Sequence, residues 1–240
     1  MNKSHFILPL LGAVLLTSCT DNDTDNSYLL RPTAVVTVCP ESDGSFIMQL
    51  DDNTQLIPSN LTESPFGAKE VRALVNYTEE DDAASAVRKV RVNWLDSIRT
   101  KAPVPSLGET NDITYGNDPI EIVQDWVTVA EDGYLTLRFR TVWGPANITH
   151  TINLLTGTNP DDPSELLLCH NAAGDTEGRW GDALIAFNLN ALPCDTDGKA
   201  KFKLRWNSFS GEKTIDFDIK MRPAKQNVDI KNVSYSSYVK

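Results

Sequence analysis

Few side chains in this sequence can do chemistry, and their scarcity is the first constraint on function. The 240 residues include only three His and four Cys. A zinc-type site would need His150 and His170 together with a carboxylate brought near them. His150 shares an apolar strand face with Ile148, Ile152 and Leu154, where a hydrogen-bonded core histidine is the ordinary outcome and a metal ligand the alternative. His170 opens His170-Asn171-Ala172-Ala173-Gly174-Asp175, in which Asn, Gly and Asp shape a turn through local hydrogen bonds; lining a pocket is its alternative role. No GxSxG, HExxH, phosphate-loop or CxxC pattern occurs. With 33 Asp and Glu, a carboxylate pair for glycoside hydrolysis would arise by chance, and its separation is spatial rather than sequential. Asp195-Thr196-Asp197-Gly198 opens like a calcium loop but lacks the closing Glu, so a turn is expected there. No catalytic residue, metal ligand or cofactor is expected.

Two aromatic features remain. Trp180 lies in Gly178-Arg179-Trp180-Gly181, a Gly-flanked loop with little strand to pack into. It is the expected binding anchor, with insertion into the core as the alternative. Lys201-Phe202-Lys203-Leu204-Arg205-Trp206 interleaves cations and aromatics, as a single-stranded nucleic-acid site does. A formal charge of −11 and a pI near 4.7 lack the basic footprint that phosphates need. Asp216 and Asp218 follow on the next strand, so a charge-complementary hairpin is expected and nucleic acid is excluded.

The N-terminus carries a different chemistry. Lys3 precedes a short apolar run, Phe6 to Leu16, too short for a bilayer span. It ends in Leu15-Leu16-Thr17-Ser18-Cys19, which looks like a bacterial lipobox. Residues 1–18 then read as a signal peptide, with the Cys19 thiol as the site of lipid attachment. Several acyl chains hold a protein on a membrane where one would let it leave. The acidic stretch Asp21 to Asn26 makes 19–33 a flexible tether resembling the export signal of surface lipoproteins. The expected location is the outer membrane, at the cell surface, with its periplasmic face as the alternative. In that oxidising compartment Cys39, Cys169 and Cys194 are an odd set. Cys169 and Cys194, both in the C-terminal half, are the expected disulfide.

Period-two alternation dominates the elements that must position these residues. Phe46, Met48 and Leu50, then Val71, Ala73, Val75 and Tyr77, then Val90, Val92 and Trp94 mark strands. Pro103 and Pro105 break the pattern, placing a domain boundary between 34–105 and 106–222. Further strands follow at Leu135, Leu137 and Phe139, at Ile152 and Leu154, at Leu166 to Leu168 and at Ile185, Phe187 and Leu189. The last two, around Phe202 and Phe217, flank the Asn207-to-Glu212 turn. These read as an all-β chain with a C-terminal β-sandwich. The tail, 223–240, is a final strand or a frayed end.

Taken in order, several stretches resemble the NigD-like lipoproteins of Bacteroides and Prevotella. They are the Cys19 lipobox, Gly44 to Asp52, Val71 to Tyr77, Val90 to Lys101, Asp118-Pro119-Ile120, Trp126 and Leu167 to Asp175. The resemblance covers nearly all of residues 19–240, although each motif is short. It implies an OB-like barrel at 34–105 followed by the sandwich, no catalytic residues, and a link to bacteriocin immunity. A thiol at Cys169 just before the His-Asn turn would be unusual for the family, which adds support for pairing with Cys194. The expected function is a non-enzymatic, envelope-anchored binding module for an unidentified protein or glycan. The alternative is a glycan-binding or glycan-hydrolysing sandwich.

Overall fold

The computed structural model describes residues 31–80, 85–145 and 148–222. Cys19, most of the 19–33 tether and the 223–240 tail lie outside them. The described chain is almost entirely strand. β1 (Ala34–Pro40), β2 (Phe46–Gln49), β3 (Gln55–Pro58), β4 (Val71–Glu79) and β5 (Val87–Ser97) close into a barrel in the order β1-β2-β3-β5-β4. The β3–β5 pair is parallel and the others antiparallel, and a register shift opposite Asn76/Tyr77 leaves Asn93 as an extra residue that bulges β5. This is the OB connectivity. The alternating residues of the sequence pattern, Phe46, Met48, Ala73, Val75, Val90 and Val92, fill the barrel with Val36, Val38 and Leu56.

The second domain contains β6 (Thr100–Lys101), β7 (Val104–Pro105), a 3-10 turn (Gly108–Thr110), α1 (Asn111–Tyr115), β8 (Glu121–Ile122), β9 (Val129–Glu131) and β10 (Tyr134–Trp143). It continues with β11 (Thr151–Thr156), β12 (Glu165–Asn171), β13 (Arg179–Asn188), β14 (Lys199–Ser208) and β15 (Gly211–Lys220). One sheet runs β6-β13-β10-β8, with β9 also on β10; the other runs β15-β14-β12-β11-β7. Leu135, Leu137, Phe139, Ile185 and Phe187 from the first sheet pack against Ile152, Leu154, Leu166, Leu168 and Leu204 from the second. A sandwich core of this kind follows directly from the period-two pattern.

The domain break falls earlier than the prolines indicate. β6 pairs with β13 and β7 with β11, so residues 100–105 already belong to the sandwich sheets. Pro105 is accommodated because β7 is a two-residue edge strand, where a missing N–H breaks no ladder.

The expected Cys169–Cys194 disulfide is absent: both are unbridged thiols, Cys169 buried and Cys194 exposed. The topology explains this. β12 and β14 run parallel with Leu168 opposite Trp206, whereas Cys194 precedes the start of β14 at Lys199. Seven strand steps, about 23 Å at ~3.3 Å each, separate Lys199 from Trp206, and a disulfide tolerates only about 7 Å between Cα atoms.

The domains are locked together by a polar seam beside an apolar one. Arg72 of β4 is fully buried and donates to Thr37 Oγ1 (2.9 Å), Thr136 Oγ1 (3.3 Å) and Glu131 Oε1 (2.7 Å). Two guanidinium groups lie over the Tyr134 ring, Arg72 at 5.6 Å and Arg222 at 5.5 Å from its centroid, and its hydroxyl donates to Glu70. Next to this, Val35, Ile98, Val127 and Ala186 form a small shared core with Leu74 and Leu184.

Candidate binding site on the outer sheet face

On β13, Ala183, Ile185 and Phe187 point into the sandwich, which turns Trp180, Asp182, Leu184 and Ala186 to the outer face. On the paired strand β10, Arg138, Arg140 and Val142 share that outer face. Its far end, at Ala186 and Thr136, is covered by the barrel. Its middle is left open and forms a cleft of about 490 Å³ lined by Leu74, Trp126, Val127, Arg138, Asp182 and Leu184. Arg31 and Pro32 stand at its rim.

The loop between β8 and β9 presents Trp126. Thr128 donates its hydroxyl to Val123 O (2.6 Å) and accepts the Arg138 amide (3.1 Å), while Asp125 accepts the Val127 amide (3.1 Å). Val127 is buried in the interdomain core, and its neighbour Trp126 is left 54% exposed.

The polar centre of the face is an ordered charge array. Asp182 Oδ2 accepts from Arg138 Nε (2.9 Å) and Nη2 (2.5 Å) and from Arg140 Nη2 (3.0 Å), and Oδ1 accepts from Arg140 Nε (2.5 Å). Arg138 Nη1 also donates to Asp125 (2.6 Å). The Arg140 hydrogen bonds, with those of Arg138, hold the Asp182 carboxyl at about 2. It is therefore ionised at any physiological pH and cannot serve as a proton donor. Its acceptor positions are taken by the two guanidinium groups.

Trp180 lies two residues beyond Asp182 on the same face and is 57% exposed. It is in strand β13 rather than in a loop. The flanking glycines serve Trp143 instead: a Cβ on Gly178 would sit 2.0 Å from Trp143 O, and one on Gly181 2.7 Å from the Trp143 ring. Trp180 meets Phe209 edge-on at 4.6 Å between ring centroids, and Phe209 is itself 44% exposed. Phe209 sits on the β14–β15 turn, whose amide donates to Glu121 (3.1 Å).

The two histidines lie elsewhere, inside one end of the sandwich. His170 Nδ1 faces Pro119 O (3.2 Å) and therefore donates; its Nε2 then accepts from His150 Nδ1 (3.0 Å). Asp175 faces the other His150 nitrogen at 3.1 Å and accepts the Gly144 amide at 2.9 Å. Trp143 stacks on His150 at 4.3 Å, and burial pushes His170 below the usual histidine range. This chain lies inside the sandwich, with the His150 side chain 1% exposed, the core setting expected of His150. Asp195 likewise closes a turn, accepting the amides of Asp197 and Lys199. The β14–β15 hairpin places Lys201 opposite Asp218 and Lys203 opposite Asp216, the complementary arrangement expected. The close ion pairs of Lys203 and Arg205 run instead to Asp162 and to Glu165 and Glu212.

Of the expected site residues, then, Trp180 is on the open face, Cys169 and Cys194 are apart and away from it, and Cys19 lies outside the described residues. Sequence reasoning missed Trp126, Asp182 and Phe209 as parts of one surface. The sequence signal for a polar outer face is the alternation of Arg138 and Arg140 with Leu137 and Phe139.

Two family models match the chain in succession, a NigD-like N-terminal OB domain over residues 35–98 and a NigD-like C-terminal β-sandwich domain over residues 102–219. The chain belongs to the NigD-like family. Among solved structures, this NigD-like protein is similar to a "Putative TOXIN related protein" from Parabacteroides distasonis, at 32% identity and a TM-score of 0.65. That match covers 77% of this chain and 91% of the other. It shares its fold with a NigD-like immunity protein from Bacteroides caccae, at 21% identity, a TM-score of 0.55, and 77% and 90% coverage. The same holds for a "Putative lipoprotein" from Bacteroides fragilis, at 16% identity, a TM-score of 0.53, and 80% and 98% coverage. No curated protein matches it in sequence. No helix among the described residues is long and apolar enough to cross a membrane.

Proposed function

We propose that this NigD-like protein is a non-enzymatic binding module of the cell envelope. In this reading it is held by lipid at Cys19, displayed on the outer membrane, and recognises its partner through the outer face of the β10–β13 sheet. The observation that carries the reading is the sharing of one face by an open cleft lined by Trp126, the Arg138–Asp182–Arg140 array beside it, and the Trp180–Phe209 pair at the other end. Exposed Trp and Arg are the residue types that dominate binding energy. Two supports favour binding over turnover. Asp182, the carboxylate in the cleft, is locked ionised by two arginines, whereas a glycosidase needs a carboxyl that gives up a proton. The family also brings no catalytic residues. Lipid attachment is supported by the lipobox and by the lipoprotein name of the B. fragilis neighbour. An immunity role is the reading that the B. caccae neighbour's name brings, and a bacteriocin-type protein would then occupy the face.

A photo-crosslinker placed at position 180 in living cells tests the binding face, with position 91 on the exposed barrel surface as control. Partner capture confined to position 180 is expected; equal capture at both overturns the assignment. Metabolic labelling with an alkyne fatty acid should mark the wild type and not Cys19→Ala. Protease added to intact cells should degrade the protein, and full protection would place it on the periplasmic face. Polysaccharide turnover abolished by one Asp or Glu substitution would refute the non-enzymatic reading.

A further inference from the structure

We propose that the outer face of the β10–β13 sheet binds an oligosaccharide that carries a carboxylate, such as a uronic-acid chain. This rests on the binding-module reading and names its ligand class. The argument begins with what the centre of the face can offer. Asp182 has spent its acceptor capacity on Arg138 and Arg140, and Asp125 accepts from Arg138 and from the Val127 amide. The arginines have donors left over. Arg140 uses Nε and one Nη2 proton on Asp182, its Nη1 has no acceptor among the described residues, and its side chain is 47% exposed. The third carboxylate, Glu121 opposite Arg140, is taken by Lys213 and the Phe209 amide, so the centre presents spare N–H donors. Such a surface selects a ligand rich in oxygen acceptors, and a carboxylate matches a guanidinium edge best.

The flanks narrow the class further. Trp126 lines the cleft and Trp180 lies at the other end of the same face, each more than half exposed. Leu184 in the cleft floor and Trp180 are four strand residues apart, about 13 Å at ~3.3 Å per residue. The face is thus elongated, with an aromatic ring at each end and donors between. A pyranose has an apolar C–H face that packs on an aromatic ring and an edge of oxygens that accepts hydrogen bonds. A chain of linked pyranoses repeats that pairing along a line, as this surface does. The cleft volume of about 490 Å³ falls in the range of small-ligand sites.

Charge sets the sign. Arg138 and Arg140 pair with Asp125 and Asp182, Glu121 opposite Arg140 pairs with Lys213, and Arg31 lines the cleft, so the region holds four cations against three anions in a chain of net charge −11. The attraction is local: at physiological salt, charges more than about 8 Å away are largely screened, so the −11 of the whole chain acts weakly on an anion seated at this face.

The test uses the full chain in detergent micelles, tetra-galacturonate as probe and a neutral galactose tetrasaccharide as comparison. Binding is followed by calorimetry and by tryptophan fluorescence. The expected result is a fluorescence change with tetra-galacturonate and at least tenfold weaker binding of the neutral sugar. Arg140→Gln, at an exposed position, should weaken tetra-galacturonate binding tenfold or more and erase the preference for the acidic sugar. Trp180→Ala should weaken both sugars about equally, with unchanged circular dichroism. Equal affinity for both sugars, no binding by the wild type, or full affinity in Arg140→Gln would each overturn the proposal. If no sugar binds while crosslinking at position 180 still captures a partner, the ligand class is wrong and the binding module stands. If both fail, both fall.

Discussion

Replacing Arg72 with Met removes the centre of the polar seam between the domains. Arg72 is fully buried and makes three side-chain hydrogen bonds, to Thr37, Thr136 and Glu131. The substitution conserves most of the volume, so the loss is electrostatic rather than a cavity. Glu131 loses the ion pair that offsets its burial, which already pushes its carboxyl above the usual range. Breaking one side of a buried pair costs about 3–5 kcal/mol, and orphaning a buried hydroxyl about 1–3 kcal/mol. Glu131 keeps 20% of its side chain in water and can rehydrate partly, so a total near 4 kcal/mol is expected. Urea unfolding followed by fluorescence should show this as a midpoint shift or as separate unfolding of the two domains. The double variant Arg72→Met with Glu131→Met removes both charges and should recover at least ~1 kcal/mol of the loss. A single-variant loss below ~1 kcal/mol, or a double variant that loses the sum of both singles, would refute the reasoning.

Burial pushes the Asp132 carboxyl up to about 6, against the pull of its hydrogen bond with Thr37 and of Arg222. A carboxyl raised in the folded state contributes stability that is full below its ordinary value near 3.8 and is lost as pH rises through about 6. Stability between pH 4 and 6 should therefore decline by at most about 3 kcal/mol, and Asp132→Asn should flatten that slope in denaturant titrations at each pH. Gly178→Ala forces a Cβ to within 2.0 Å of a backbone carbonyl and should cost about 3 kcal/mol, read as a lowered Tm. Exposed Cys194 should react at once with a thiol reagent, whereas Cys169, buried and with its thiol pushed up to about 11, should react only on unfolding.

The strands were legible wherever one face meets a core and the other meets water. Leu135, Leu137 and Phe139 show this on β10, as do Phe46 and Met48 on β2. Alternation failed where that asymmetry fails. β1 is buried on both faces, Val36 and Val38 inside the barrel and Val35 against the second domain, so Ala34 to Cys39 carries no period-two signal. β15 fails in the opposite sense. It is an edge strand, so Ile215 stays 40% exposed and only Ile219 is buried, despite the apolar alternation. Trp180 was legible as an exposed aromatic, but for a mistaken reason, because its glycines make room for Trp143. The rest of the face was illegible. Asp182 meets Arg138 and Arg140 only through the β10–β13 register, and Phe209 reaches Trp180 from the other sheet. Spacing in the chain carries neither relation.

The cleft takes Leu74 from the barrel and Asp182 and Leu184 from the sandwich, so it exists only while the two domains stay docked. Occupancy and docking are then thermodynamically linked. A ligand that binds only the docked form would deepen the docked state by about 2.7 kcal/mol at a concentration one hundred times its Kd. That would offset most of what the loss of Arg72 removes. If the face holds the proposed ligand, the two domains act as a clasp whose contents help hold it shut, and ligands would be found by the rise they cause in the melting temperature of a weakened seam. Variants far from the face, such as Arg72→Met, would in turn release the ligand without touching it.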